Sequence, residues 1–400
     1  MSHTPAEKLA TPLDLPGGRR LKNRLIKSPM SDSLGNGAGD PTPDQIRLYE
    51  RWAEGGAALS LIGEVQIGPH APESPGNLVL TPGGAETLWR ALAQVGAAQG
   101  AQIWPQLGHA GALAHGALAR AKGPSPLTLE GREVAALTED EIAALPGAYA
   151  TAAARAKALG FRGAQIHAGH GFLLSQFLSP FFNHRRDGYG GSVAARFRLI
   201  GEIIAATRRA VGPQFALGLR INATDQLRGG VTEADALETI RLLSATSIDL
   251  IDISGGSYVP GAPASSDGTA QNGPYFAEFA AKAQAITRIP LVVTGGVKTR
   301  TEALALRAGG AAAVGLARAM VLDPALPNKW LSPEGGDPVF PRFATRPPGG
   351  ITAWYTGRLA ALATDREDSF DVDLPAALAA VAARDAARVP LWQARFGPPA

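Results

Sequence analysis

The chain contains no cysteine. That absence excludes disulfides, thiolate metal sites, a thiol nucleophile and cysteine-held iron–sulfur clusters. An excess of one charge is also lacking: 38 Lys and Arg stand against 35 Asp and Glu, for a formal net charge of +3. No cluster of Lys and Arg is interleaved with aromatics, so a nucleic-acid partner is not expected. No apolar run approaches the length of about 18 residues that a membrane helix needs, and residues 1–21 lack the apolar core of a signal peptide. The expectation is a soluble, cytoplasmic protein with a small-molecule substrate and no membrane partner.

What is present suits a large core. Hydrophobic residues make up 45% of the 400 positions and charged residues only 18%. Short apolar runs rich in β-branched residues alternate with alanine-rich helical patterns. The runs at 24–29, 58–63, 102–107, 163–167, 216–221, 250–254, 290–294 and 312–315 read as strands buried on both faces of a parallel sheet. Between them, 193–210 reads as a helix: Val193, Phe197, Ile200, Ile203 and Ile204 share one face, Ser192 stands at the N-cap, and Gly212 follows the end. Eight such units predict a (β/α)8 TIM barrel, an α/β fold, with a doubly wound sheet as the alternative. Residues 109–136 form a long connection after the third strand, expected to cover the barrel mouth as a lid insertion. The barrel is expected to span 1–330. Residues 331–400 form a linker and a C-terminal helical extension, with helices near 351–363 and 375–388, that packs on the barrel or makes a homo-oligomer.

In a barrel, the C-terminal strand ends face the active site. The fourth strand ends in His167 and His170, bounded by glycines, where neutral imidazole N–H groups can hold an anionic oxygen or polarise a carbonyl. A hydrogen-bonded structural pair or a metal site are the other readings, although no third metal ligand is evident nearby. The seventh and eighth strands end in Gly295-Gly296 and in Gly315-Leu316-Ala317-Arg318. Glycines admit a phosphate to backbone amides, and Arg318 can grip it with two donors. Arg220 and Gln106 close the fifth and third strands and suit a cofactor's polar edge, or else an internal ion pair and an ordinary amide. Asp187 to Ser192 reads as a structural turn, and His184, Arg185 and Arg186 as a solvated face.

Taken together, several ordered motifs resemble the old yellow enzyme family. They are LKNRLIKSPM at 21–30, QLGHAG at 106–111, HAGHGFLLSQFLSP at 167–180, then Asn183 and DGYGGS at 187–192, and Asn328-Lys329-Trp330 after Asp323-Pro324. The match runs from about residue 13 to 330, and Thr352-Ala353-Trp354-Tyr355 resembles some longer relatives. The resemblance implies non-covalent FMN at the barrel mouth and NADH or NADPH as hydride donor. It implies Pro29 and Met30 against the isoalloxazine, Gln106 and Arg220 at its pyrimidine edge, and Gly296 and Arg318 at its phosphate. His167 and His170 would bind the carbonyl or nitro oxygen of an activated alkene such as an enone, a maleimide or a nitroalkene, in a ping-pong reaction.

Three positions depart from the family pattern. Ser31 stands where bacterial relatives often have a flavin-tuning cysteine, and Ser33 where many have a substrate-side tyrosine. Phe172 stands where the family usually has its proton-donating tyrosine, which leaves Tyr258 or water as the acid. The second reading is therefore a flavin enzyme of this fold with another chemistry, such as amine demethylation or dehydrogenation. The third is a barrel that binds a phosphate-bearing ligand without redox chemistry.

Overall fold

A computed structural model describes residues 5–259, 273–333 and 335–399. Eight parallel strands close on themselves: β1 (Leu25–Lys27), β2 (Leu59–Gln66), β3 (Gln102–Gly108), β4 (Gly163–Ala168), β5 (Ala216–Asn222), β6 (Leu250–Ser254), β7 (Leu291–Thr294) and β8 (Ala313–Leu316). Each pairs with the next, and β8 pairs with β1. This is the (β/α)8 barrel, and the strands lie where the buried apolar runs placed them. The strands are buried on both faces because helices α1 (Pro43–Glu54), α2 (Glu86–Gly96), α3 (Glu139–Ala158), α4 (Val193–Val211), α5 (Glu233–Leu243), α6 (Ala277–Gln284) and α7 (Arg300–Ala308) cover the outside.

Local chemistry sets the helix starts. Thr138, Thr232 and Thr299 each form a reciprocal capping box with an acidic residue three positions on. Ser192 caps α4 by accepting a hydrogen bond from the Ala195 amide, and Gly212 ends that helix at φ +76.

The barrel interior is graded. At the N-terminal end a short hairpin, Leu13–Leu15 with Arg19–Leu21, plugs the opening. Its leucines pack on Ile26, Leu59, Leu61, Trp104 and Val292. Above this apolar floor lies a buried polar layer. Gln106 Nε2 donates to Gln165 Oε1 at 2.7 Å, and Gln165 Nε2 donates to Asp252 at 3.3 Å. Thr294 Oγ1 donates to Asp252 at 2.7 Å and contacts Ser28 Oγ at 2.9 Å. The floor supplies stability and the polar layer faces the mouth.

After β3 the chain forms a small sheet of Lys122–Gly123, Leu127–Leu129 and Arg132–Ala136. Arg185 ties it down and is not part of a solvated face. Its Nη1 donates to the carbonyls of Pro124 and Leu137 at 2.9 and 3.0 Å, and its guanidinium pairs with Asp187. Two helices follow the barrel: α8 (Gly350–Ala363) and α9 (Leu374–Phe396). α9 runs well past residue 388, through Pro390. A proline inside a helix forfeits a hydrogen bond at a cost of about 3 kcal/mol, but the last turns bury Trp392 against Val79 and Leu118. No helix among the described residues is long and apolar enough to cross a membrane.

Candidate active site

Strand register brings the key side chains to one level. His167 is paired with Arg220, and Arg220 with Asp252; Asn222 is paired with Ser254 at the next level out. All five lie at the C-terminal ends of β4, β5 and β6, where a barrel carries its chemistry. Above them opens a cavity of about 1310 Å³. Its lining includes Pro29, Met30, Ser31, Glu73, His170, Arg220, Ser254, Tyr258, Tyr275, Phe276, Gly295, Gly296, Ala317, Arg318 and, from beyond the barrel, Phe340, Phe343, Thr352 and Tyr355.

The two histidines sit edge to face, with ring centroids 5.2 Å apart. His167 Nδ1 accepts the Gly169 amide at 3.3 Å, so its proton is carried on Nε2. His170 has φ +59, a left-handed backbone that few non-glycine residues adopt. The strain is fixed by two bonds: its amide donates to Asn222 Oδ1 at 3.0 Å, and its carbonyl accepts from the Tyr258 amide at 3.0 Å. Its Nε2 lies 3.0 Å from Ser254 Oγ. Burial, and then the positive charge of Arg220, hold both imidazoles well below the usual histidine range. Both are therefore neutral near pH 7 and able to donate a hydrogen bond without carrying charge.

Arg220 is almost completely buried. Its Nη2 donates to Ser254 Oγ at 2.8 Å, and Nη1 lies 3.2 Å from Asp252 Oδ2. That pair is close but not aligned as a hydrogen bond: Nη1 and Nε have no acceptor among the described residues. Burial raises the Asp252 carboxyl above the usual range even beside this cation. A buried guanidinium with two unmatched N–H groups at a cavity wall fits a polar, acceptor-rich edge of a bound group.

The far end of the cavity fits a phosphate. Gly295 and Gly296 have φ +131 and +77, and a Cβ on Gly296 would meet the Gly273 carbonyl at 2.1 Å. Neither position accepts a side chain, and both present their backbone to the cavity. Arg318 stacks over the Tyr355 ring at 5.2 Å. Burial pushes the Tyr355 phenol up to about 12, so it stays protonated.

The remaining expected residues fall in three places. Phe172 packs in a small cluster with Ala71, Ala110, Ala114 and Ala119. Its ring is 5.1 Å from His167 and 5.9 Å from Tyr258. Gln106 lies beneath the cavity in the polar layer. Ser33 does not line the cavity; its carbonyl accepts from Arg388 on α9. Tyr258 stands at the rim, 60% exposed, with its ring 5.7 Å from that of His170. Sequence reasoning missed Ser254, Asn222 and Asp252. A charged residue inside the apolar run Leu250-Ile251-Asp252-Ile253 is the signal that marks Asp252; Asn222 and Ser254 stand at strand ends with no further mark.

The model of the NADH:flavin oxidoreductase / NADH oxidase family matches residues 8–332. A metal reductase of Desulforamulus reducens is 35% identical over 322 residues, 79% of this chain and 48% of that protein, so this chain spans about half its length. The NADH-dependent flavin oxidoreductase iccE of Talaromyces variabilis is 31% identical over 410 aligned residues, 89% of this chain and 98% of that one. Among solved structures, morphinone reductase in complex with tetrahydroNAD aligns with a TM-score of 0.68 at 25% identity, over 80% of this chain and 90% of its own. The chain belongs to the NADH:flavin oxidoreductase / NADH oxidase family, the old yellow enzymes, whose FMN-dependent members draw hydride from NADH or NADPH.

Proposed function

We propose that this protein reduces activated alkenes such as enones, maleimides or nitroalkenes at the expense of NADH or NADPH. The observation that carries the reading is the pair of neutral imidazoles, one tautomer fixed: His170 at the wall of a cavity that fits a flavin, and His167 buried edge to face beside it. Arg220 and Gln106 would hold the pyrimidine edge of FMN, and Gly296 and Arg318 its phosphate. Pro29, Met30 and Ser31 would lie along its ring, with Gly295 and Ala317 flanking the phosphate. FMN held there would supply the hydride-transfer chemistry between nicotinamide and alkene.

The chain's own residues do the rest. His167 donates from Nε2 to the acceptor's carbonyl or nitro oxygen, and His170 donates alongside it. Both are neutral, so negative charge developing on that oxygen strengthens two preplaced hydrogen bonds. Donor and acceptor use the same opening in turn, which is the ping-pong order. The α-carbon takes its proton from Tyr258 or from water, because Phe172 has no hydroxyl.

Phe172 also favours a second reading: another flavin chemistry on the same barrel, such as amine dehydrogenation, which does not need a phenol at that place. The test is visible absorbance under anaerobic conditions. Bleaching of the yellow protein by NADH or NADPH, and recolouring by 2-cyclohexen-1-one, supports alkene reduction. Recolouring by none of a panel of enones, maleimides and nitroalkenes, with bleaching by an amine, overturns it.

A further inference from the structure

The C-terminal helix ends beside the cavity wall it does not line. α9 returns from the far side of the chain and inserts Arg388 between two loops at the barrel mouth. One loop, after β1, carries Met30 and Ser31. The other, after β2, carries Glu73. All three line the cavity. Arg388 Nη1 donates to the Ser33 carbonyl at 2.6 Å. The loops meet backbone to backbone around it, with the Gly35 amide donating to the Gly76 carbonyl at 3.2 Å. A Cβ on Gly37 would lie 3.0 Å from Arg388 Cγ, and one on Gly76 would lie 3.0 Å from its Nη1. The two glycines leave a slot shaped for this one side chain.

We propose that Arg388 is a positioning residue: by fixing the Ser33 carbonyl it sets where the β1 and β2 loops stand, and so shapes the acceptor side of the cavity. Ser33 has φ +53. A non-glycine residue held there costs on the order of 1 kcal/mol and persists only where its surroundings dictate it. The inner side of the same loop is already anchored. Asp32 accepts from the Leu34 amide at 2.9 Å, from Gln45 Nε2 at 2.9 Å and from the Tyr49 hydroxyl at 3.0 Å. Arg388 supplies the outer hold. A half-buried guanidinium is a poor choice for stability alone, since an apolar side chain of similar volume serves as well or better. Burial indeed lowers the Arg388 pKa. What the charge adds is a directed donor at one carbonyl, two residues from Ser31.

This inference rests on the cavity being the acceptor site, as proposed above. The test compares wild type with Arg388→Met and Arg388→Lys in the full-length, FMN-loaded protein. Four quantities are read: FMN per chain, melting temperature, KM and kcat with 2-cyclohexen-1-one, and the Kd of p-hydroxybenzaldehyde from the flavin absorbance. For Arg388→Met we expect acceptor KM and p-hydroxybenzaldehyde Kd to rise about tenfold, the loss of roughly 1.4 kcal/mol of binding. FMN content, the KM for NADH and the melting temperature stay near wild type, and Arg388→Lys recovers part of the affinity. Unchanged acceptor KM and Kd overturn the proposal. So does a fall in melting temperature with all parameters declining together, which marks a purely structural role. If Arg388→Met does not fold, Arg388→Lys decides: an acceptor Kd within twofold of wild type overturns the proposal. If no alkene is turned over by wild type, alkene reduction is wrong, yet the p-hydroxybenzaldehyde Kd still tests Arg388.

Discussion

Ser254 Oγ lies 3.0 Å from His170 Nε2 while it accepts a hydrogen bond from Arg220 Nη2 at 2.8 Å. One hydroxyl thus joins the buried cation to the imidazole at the cavity wall. The arginine occupies one lone pair of Ser254, so the hydroxyl hydrogen is free to point at Nε2. With the hydroxyl donating to Nε2, the His170 proton sits on Nδ1. Ser254→Ala removes this control of the tautomer. We expect FMN to stay bound and the rate of alkene reduction to fall about ten- to a hundredfold, within the usual range for misplacing a general catalytic donor. Stopped-flow absorbance of the alkene half-reaction measures it. A rate within twofold of wild type would show that Ser254 does not orient His170.

The phosphate assignment is tested by composition. Arg318 and the bare backbone at Gly296 would replace the water that a buried phosphate loses. Arg318→Ala should purify largely without FMN, as read from the ratio of absorbance at the flavin band to that of the protein. A full complement of flavin in the variant would place the phosphate elsewhere.

Proton delivery is tested at Phe172 and Tyr258. Phenylalanine keeps the packing in its alanine-lined pocket but cannot act as an acid. Phe172→Tyr should speed the alkene half-reaction by about tenfold or more, since general acid catalysis is typically worth two to four decades. The nicotinamide half-reaction should hardly change. Tyr258→Phe should slow the alkene step if the exposed phenol is the acid, and leave it alone if water is. Fast wild-type turnover that neither substitution alters would contradict this account of the proton.

A fourth prediction concerns stability and pH. Lys27 is fully buried on β1, its ammonium 4.0 Å from the Trp52 ring centroid, with no hydrogen-bond partner among the described residues. Burial lowers its pKa from 10.5 to about 7, against the opposing charge of Asp32. A depressed lysine pKa means that the unfolded chain binds the proton more tightly than the fold does. The cost of burying it is therefore absent above about 10.5 and grows as pH falls towards 7. Wild type should gain stability relative to Lys27→Met as pH rises from 7 to 10, measured by urea midpoints. A difference independent of pH would mean that Lys27 is charged throughout.

The barrel was legible because each strand is a short run buried on both faces, bounded by glycine, proline or a helix cap. The run predicted at 290–294 and the observed Leu291–Thr294 differ by one residue. The histidines and the paired glycines were legible because they sit at strand ends. Ser254 was not. A serine after Asp252-Ile253 looks like any strand end until the register sets Asn222 against it and Arg220 against Asp252. Nor was the reach of α9. Pro390 reads as a stop, and only the burial of Trp392 against Val79 and Leu118 explains why the helix continues. The bond from Arg388 to Ser33 spans most of the chain and has no local signature. Arg185 failed for a related reason: a run of three basic residues looks solvated, yet the middle one turns inward to two carbonyls.

The central claim is that His167 and His170, both neutral, together hold the acceptor's oxygen over the flavin. A phenolic ligand reports on this directly, because as a bound phenolate stacked on FMN it produces a long-wavelength charge-transfer band. The measurement is a titration of FMN-loaded wild type and of the His167→Ala, His170→Ala double variant with p-hydroxybenzaldehyde at constant pH. The account predicts a saturable long-wavelength band in wild type and none in the double variant, with flavin content unchanged. The same band at the same affinity in the double variant would contradict it.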